Sequence, residues 1–371
     1  MMEGTHLMIE IAAASAVGLA FILSLAGTVL VRKLALAWGF IDHPAPDRFG
    51  RTPTPLLGGV AITAAVLLPS LLAMVLARVW SATGAPNWLP ENLAVHIPGV
   101  VAKTPLALVI LSGCLLLHIV GLIDDRKDLG PWLKLAAQVL AAGAVVFIGR
   151  IRLMEMLGEP VSSIGSILWL VLITNAFNFL DNIDGLSAGV AAICSAALLA
   201  AAAASGQLFV AGWLCLLLGA SLGFLVFNFP PAKIFMGDAG SLVLGFMLGV
   251  LSILTTYYQG GSSGLYYSVF APIVLLAVPL YDTFSVVWLR IRNRRNPMIG
   301  DRRHFSHRLL RRGMSQRKAV LTIYLATAAT AAGASLLPHV DRIGAILVFA
   351  QTVGIVLIVA LLESADGRSR P

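Results

Sequence analysis

Charge is scarce in this sequence. Only 12% of its residues are Asp, Glu, Lys or Arg, against roughly 25% in an average soluble domain, and the mean hydropathy is +0.89. That scarcity excludes an ordinary soluble fold. Cysteine is sparse too: Cys114, Cys194 and Cys215 each sit inside an apolar run, far from any metal-ligand spacing. They read as small core residues, which excludes a disulfide scaffold, a zinc centre and a redox pair. No gap between apolar runs is long enough for a soluble domain, the longest being 32–56, 79–103 and 291–317. No inverted repeat of the kind found in many transporters is visible. A cleaved leader is not expected either, because the first apolar run lacks a basic flank and is bracketed by Glu3 and Glu10.

What is abundant is apolar sequence in lengths that span a bilayer. A crossing helix needs about 20 apolar residues, and helices are favoured because the runs show no period-two alternation. Eleven spans are expected, near 8–31, 57–78, 104–123, 131–148, 163–180, 186–204, 207–228, 240–258, 266–290, 318–337 and 341–363. The expected fold is an all-α polytopic membrane protein, one integral membrane domain over residues 1–371. With the N-terminus outside and the C-terminus in the cytoplasm, 21 of the 26 Lys and Arg fall on inward loops and five outside: Arg78, Lys103, Arg150, Arg152 and Arg342. The positive-inside rule selects this orientation.

The same orientation places every polar motif at the inner face. Gly121-Leu122-Ile123-Asp124-Asp125-Arg126-Lys127-Asp128 ends the third span. Its carboxylates repel one another unless a cation or hydrogen bonds compensate. Magnesium takes one or two carboxylates plus substrate phosphates, and Arg126 and Lys127 offer an alternative as simple neutralising partners. Asn175, Asn178, Asp181 and Asp184 recur every third residue at the end of the fifth span, before Gly185. The helix is expected to end near Asp181, with the amides on its last turn and the acids reaching in from the loop. Capping alone accounts for one or two of the four groups.

Asn228-Phe229-Pro230-Pro231 stops the seventh span, and Met236-Gly237-Asp238-Ala239-Gly240-Ser241 opens the eighth. Asp238 there suits an N-cap or a metal ligand. Asp282 lies near the inner end of the ninth span. The basic loop from Arg290 to Lys318 carries eleven Lys and Arg and contains Asp301-Arg302-Arg303-His304-Phe305-Ser306-His307-Arg308. Such a loop suits anionic headgroups, while its histidines and arginines can also grip a diphosphate. Acids for a metal, cationic clamps and a water-poor setting are the parts of phosphoryl transfer. Their site at a membrane face implies one lipid-borne and one water-soluble substrate.

From about Asp42 to Tyr324, Gly58-Gly59 and these motifs in this order resemble the polyprenyl-phosphate N-acetylhexosamine-1-phosphate transferases. Within that family the chain is most similar to the bacterial undecaprenyl-phosphate N-acetylglucosamine-1-phosphate transferases that begin envelope glycans such as O-antigen and wall teichoic acid. The resemblance implies that a UDP-N-acetylhexosamine and undecaprenyl phosphate react at the cytoplasmic face of the bacterial inner membrane, giving UMP and the lipid-diphosphate sugar. It implies Mg2+, with Mn2+ as a substitute, a homodimer, surrounding membrane lipids and no nucleic acid. Asp124, Asp125 and Asp181 would be the catalytic acids, with Asp124 and Asp125 serving the lipid phosphate. Asn178 and Asp238 would hold the metal. Asn175, Asp184, His304, His307 and Arg308 would bind substrate, Asp184 at the uracil end and the His/Arg group at the sugar or diphosphate.

Where the family often reads His-x-His-His-Arg, this chain has Ser306 at the third position, and Asp47-Arg48-Phe49-Gly50 stands where an Arg-Lys pair and a His are usual. The His/Arg loop resembles this branch rather than the phospho-N-acetylmuramoyl-pentapeptide transferases. A cation or nucleotide-sugar transporter would carry its ionisable residues near the bilayer midplane, whereas here they gather at span ends.

Overall fold

A computed structural model describes residues 2–42, 53–255, 266–294 and 304–364 of the chain. It is almost wholly helical. In order the helices are α1 (Met2–Ala37), α2 (Gly58–Thr83), α3 (Glu91–Ala94), α4 (Ile97–Lys127), α5 (Pro131–Gly143), α6 (Glu159–Leu180) and α7 (Leu186–Ala204). There follow α8 (Leu208–Asn228), α9 (Asp238–Leu254), α10 (Ala271–Leu275), α11 (Ala277–Arg292), α12 (Phe305–Arg311), α13 (Gln316–Leu336) and α14 (Arg342–Ser364). Two short strands, β1 (Ile41–Asp42) and β2 (Thr54–Pro55), pair antiparallel with Ile41 opposite Pro55 and Asp42 opposite Thr54. Asp47, Arg48, Phe49, Gly50, Asp301, Arg302 and Arg303 lie outside the described residues.

Among the described residues, nine helical stretches are long and apolar enough to cross a membrane. The all-α polytopic expectation holds, and two of the eleven expected spans take a different form. The one expected at 266–290 is bent by 67° between Tyr267–Leu275 and Ala277–Arg292. Pro279 explains the break, because it has no N–H to donate to the carbonyl of Leu275. The one expected at 240–258 is α9, a helix of 17 residues from Asp238 to Leu254, shorter than the roughly 20 a crossing requires. It can be short because protein surrounds it: every residue from Ala239 to Ser252 is buried. A helix that is apolar all round belongs in a core, and α2, α4, α6 and α7 form the wall around this one.

At the face that carries the polar motifs, the helix ends are set by local chemistry. Pro131 opens α5 in its first turn, where a missing N–H costs nothing. Asp128, in the left-handed region, closes α4. Asn228 ends α8 just before Pro230 and Pro231, and the extended stretch that follows donates Phe235 N–H to Pro55 O at 2.8 Å. Gly58 and Gly59 return N–H bonds to Phe235 O and Met236 O, both at 2.9 Å. The start of α2 and the approach to α9 are thereby stitched together at one face.

Candidate active site

The N-terminus of α9 is the hub. Gly237 has φ +72°, a conformation glycine adopts readily, and it turns the chain so that the first amides of α9 meet the end of α4. There Asp125 accepts Asp238 N–H at 2.8 Å and Ala239 N–H at 3.2 Å. A carboxylate on the positive end of a helix is favourably placed. The approach requires Gly121, because a Cβ at that position would lie 2.4 Å from Ala239 N.

Beside this anchor the acids are linked through one cation. Lys134 of α5 lies 2.9 Å from Asp124 Oδ2 and 3.0 Å from Asp238 Oδ2. Asp124 Oδ1 also accepts Leu129 N–H at 2.9 Å. Asn178 donates to Asp238 Oδ1 at 2.8 Å and to Ser241 Oγ at 3.0 Å. Asp181 follows α6 directly. Burial first, then the charges of Asp238 and Asp125, push its carboxyl well above the usual carboxylate range, opposed by a hydrogen bond from the Gly237 backbone. Lys134 thus bridges Asp124 and Asp238 while Asp125 and Asp181 stand close by, a crowding of acids that suits a divalent cation. Among the described residues no three His, Cys, Asp or Glu side chains form a closed metal cage. Asp238 and Asn178 could therefore hold a magnesium ion only together with water and phosphate oxygens, which is how that ion usually binds.

These groups open onto a cleft of about 910 Å³. Seven of the ten residues expected from sequence line it: Asn175, Asn178, Asp181, Asp184, Asp238, His304 and His307. Asp124 and Asp125 stand behind that wall and act on it through Lys134 and the α9 amides. Its lining also includes the apolar side chains of Leu135, Leu168, Val171 and Leu172. In the same lining, Asn175 donates to Gln138 Oε1 at 2.5 Å and receives the Gln138 amide at 3.3 Å. Asp184 Oδ2 accepts Ala232 N–H at 3.0 Å, and Gly185 N–H reaches Asn228 Oδ1 at 2.9 Å, fixing the loop after α6 against the loop after α8.

Arg308 is placed differently from the expectation. Its guanidinium donates to Ser285 Oγ at 2.7 Å and pairs with Glu363 at 2.9 Å, away from the cleft lining. Its partners Ser285 on α11 and Glu363 on α14 draw it away from the cleft. Ser306 is also turned inward, fully buried, donating to Asn182 Oδ1 at 2.5 Å.

Among the other cleft residues, Lys134, Gln138, Thr283 and Arg290 are not marked by the sequence as site groups. Lys134 and Gln138 are four apart and therefore share a face of α5. A polar pair on one face of an apolar run was the available signal. Arg290 was visible only as one cation of a basic loop, although it is 1% exposed and its guanidinium stacks 5.4 Å from the Phe179 ring centre.

A family profile described as Glycosyl transferase family 4 matches residues 107–256. The chain is 32% identical to the "Probable undecaprenyl-phosphate N-acetylglucosaminyl 1-phosphate transferase" of Bacillus subtilis, over 86% of this chain and 82% of that protein. It is 32% identical to the decaprenyl-phosphate N-acetylglucosaminephosphotransferase of Mycolicibacterium smegmatis, over 95% and 89% of the two chains. An undecaprenyl-phosphate alpha-N-acetylglucosaminyl 1-phosphate transferase of Yersinia pestis is 26% identical, over 83% and 80%.

Proposed function

Because this chain belongs to glycosyl transferase family 4, we propose that it is a multi-pass membrane enzyme transferring N-acetylglucosamine-1-phosphate from UDP-N-acetylglucosamine to undecaprenyl phosphate. Transfer to a polyprenyl phosphate is the activity its relatives are named for. The finer reading adds UMP as the leaving product, Mg2+ as the cation, and the cytoplasmic face of a bacterial inner membrane as the place. The observation that carries it is Asp238, met by Asn178 and Lys134 in a cleft lined by both polar and apolar side chains.

An oxygen of the lipid phosphate attacks the β-phosphorus of the UDP-sugar. A new phosphoanhydride forms, the old one breaks, and the electron pair leaves on UMP. A phosphate monoester has a second pKa of about 6 and is largely ionised at neutral pH, so the nucleophile needs no dedicated base. The work left to the chain is positioning and charge balance. Lys134, oriented by Asp124, supplies a positive charge beside the acids. Asp125 holds the helix that presents Asp238. A bound magnesium ion would neutralise phosphate oxygens from its place on Asp238 and Asn178. His304, His307 and Arg290 supply donors for the sugar diphosphate, and Leu168, Val171 and Leu172 give the prenyl chain an apolar path. One anhydride replaces another, so the reaction is reversible.

The test is UMP release from a panel of UDP-sugars by purified protein with undecaprenyl phosphate and magnesium, beside Asp238→Asn. Lipid-dependent release from UDP-N-acetylglucosamine, lost in the variant, is the expected result. Absence of turnover from every UDP-sugar by folded protein would sink the proposal.

A further inference from the structure

One buried acid has no part in the reaction as described. Asp282 on α11 has no exposed surface, and both of its oxygens are engaged by the segment that opens α12. Oδ2 lies 2.8 Å from His304 Nδ1, and Oδ1 accepts Phe305 N–H at 2.9 Å. A carboxylate inside an apolar helix is costly unless partners hold it, and here its partners carry a ring of the cleft wall. His304 packs edge-on against Phe179 with ring centres 5.5 Å apart. Ser306, two residues on, is tied to Asn182 in the loop that carries Asp181 and Asp184. The histidine is therefore constrained through its ring, its following amide and its neighbouring hydroxyl.

We propose that Asp282 is a positioning residue for the transfer reaction, holding the proton of His304 on Nδ1 and so presenting Nε2 to the sugar diphosphate in the cleft. A carboxylate paired with a ring nitrogen at this distance accepts a proton from it, which selects the protonated Nδ1 in both the neutral and the charged ring. The second bond, to Phe305 N–H, stops the ring from shifting along the chain. Without the carboxylate, His304 could present either nitrogen, and the productive arrangement would be one of several. Partners that orient a site histidine in this way typically contribute about 10–100-fold to activity.

This inference rests on the transferase reading, and its test separates the two. Wild-type protein, Asp282→Asn, His304→Gln and the double variant are assayed with UDP-N-acetylglucosamine and undecaprenyl phosphate. Asp282→Asn is expected to lower kcat about 10–100-fold, to leave the KM for the lipid unchanged, and to cause no further loss in the His304→Gln background. Wild-type kcat in Asp282→Asn, or losses that multiply in the double variant, would overturn the positioning role. A second measurement covers the case in which Asp282→Asn does not fold. In wild-type protein labelled with 15N-histidine, the signal absent from His304→Gln should report a protonated Nδ1, and an unprotonated Nδ1 overturns the proposal. Wild-type protein that turns over no UDP-sugar strikes the underlying reading, while the NMR result still decides the Asp282–His304 pairing.

Discussion

Asp125 meets Asp238 at its backbone and not at its side chain: the Asp125 carboxylate accepts the N–H of Asp238 at 2.8 Å and, with its other oxygen, the N–H of Ala239 at 3.2 Å. The adjacent Asp124 instead holds Lys134. Two neighbouring acids in sequence thus serve different elements, one fixing a helix end and the other a cation.

That division separates stability from activity. Asp125→Ala leaves two helix amides unsatisfied, each costing about 1–3 kcal/mol, and should lower both the melting temperature and turnover. Asp238→Asn removes charge from a crowded acidic cluster, so it should melt at or above the wild-type temperature while losing turnover about 100-fold or more. Thermal unfolding in detergent alongside UMP release checks both. An Asp125→Ala protein as stable as wild type would remove the anchoring role.

Paired with Asp238 at 3.0 Å, Lys134 would compete with a divalent cation bound there. Replacing it by Gln should lower turnover by about 100-fold, because the reacting phosphates lose a positive neighbour. The same change should reduce the magnesium concentration giving half-maximal activity, since a like charge beside the ion has gone. A raised magnesium requirement would mean that Lys134 helps to assemble the site and does not compete at it.

Gly121→Ala tests the contact between α4 and α9. The added Cβ would lie 2.4 Å from Ala239 N, and overpacking of this kind costs about 1–3 kcal/mol. The melting temperature should fall and activity with it. Gly99→Ala, on the same helix with nothing within 4 Å of its Cβ, should change neither. Equal melting temperatures for the two variants would show that α9 has room to move.

Asp181 gives the protein a pH dependence of defined sign. Its folded-state pKa is raised by burial and by Asp238 and Asp125, against an unfolded value of about 3.9. An acid raised in this way destabilises the fold progressively as pH climbs from the unfolded value through the folded one. Without divalent cation, stability should therefore decline from the ordinary carboxylate range upward, and less steeply in Asp181→Asn. Magnesium added at neutral pH should restore stability and release protons into a weakly buffered solution. Identical pH slopes for wild type and variant would assign the dependence elsewhere.

Much of the fold was legible because a bilayer leaves few options: long apolar runs must be helices. The exceptions have two separate causes. Helix α9 is surrounded by protein and needs no full membrane length, whereas the α10–α11 segment breaks near Leu276 because Pro279 lacks an N–H. The acids and amides were legible because ionisable groups at span ends stand out against apolar sequence. Their division of labour was not, since nothing in Asp124-Asp125 states which acid meets Lys134 and which meets the amides of α9. Arg308 shows the same gap. Its spacing from His304 and His307 carries no information about Glu363, which lies 55 positions further on and meets it only in the folded chain.

Helix α9 is enclosed from Ala239 to Ser252, whereas α14 turns Ile343, Ile346, Leu347, Val353, Leu357, Ile358 and Leu361 outward. The two segments look equally greasy on a hydropathy plot, yet they differ in how freely they can drift. A lipid-facing position asks only for an apolar side chain of any shape, so α14 can exchange Leu, Ile and Val at little cost. In α9 nearly every side chain has a neighbour of fixed shape, and the helix starts at the reacting acids. Random mutagenesis scored by activity would accordingly leave α9 almost bare of substitutions and fill α14 with them.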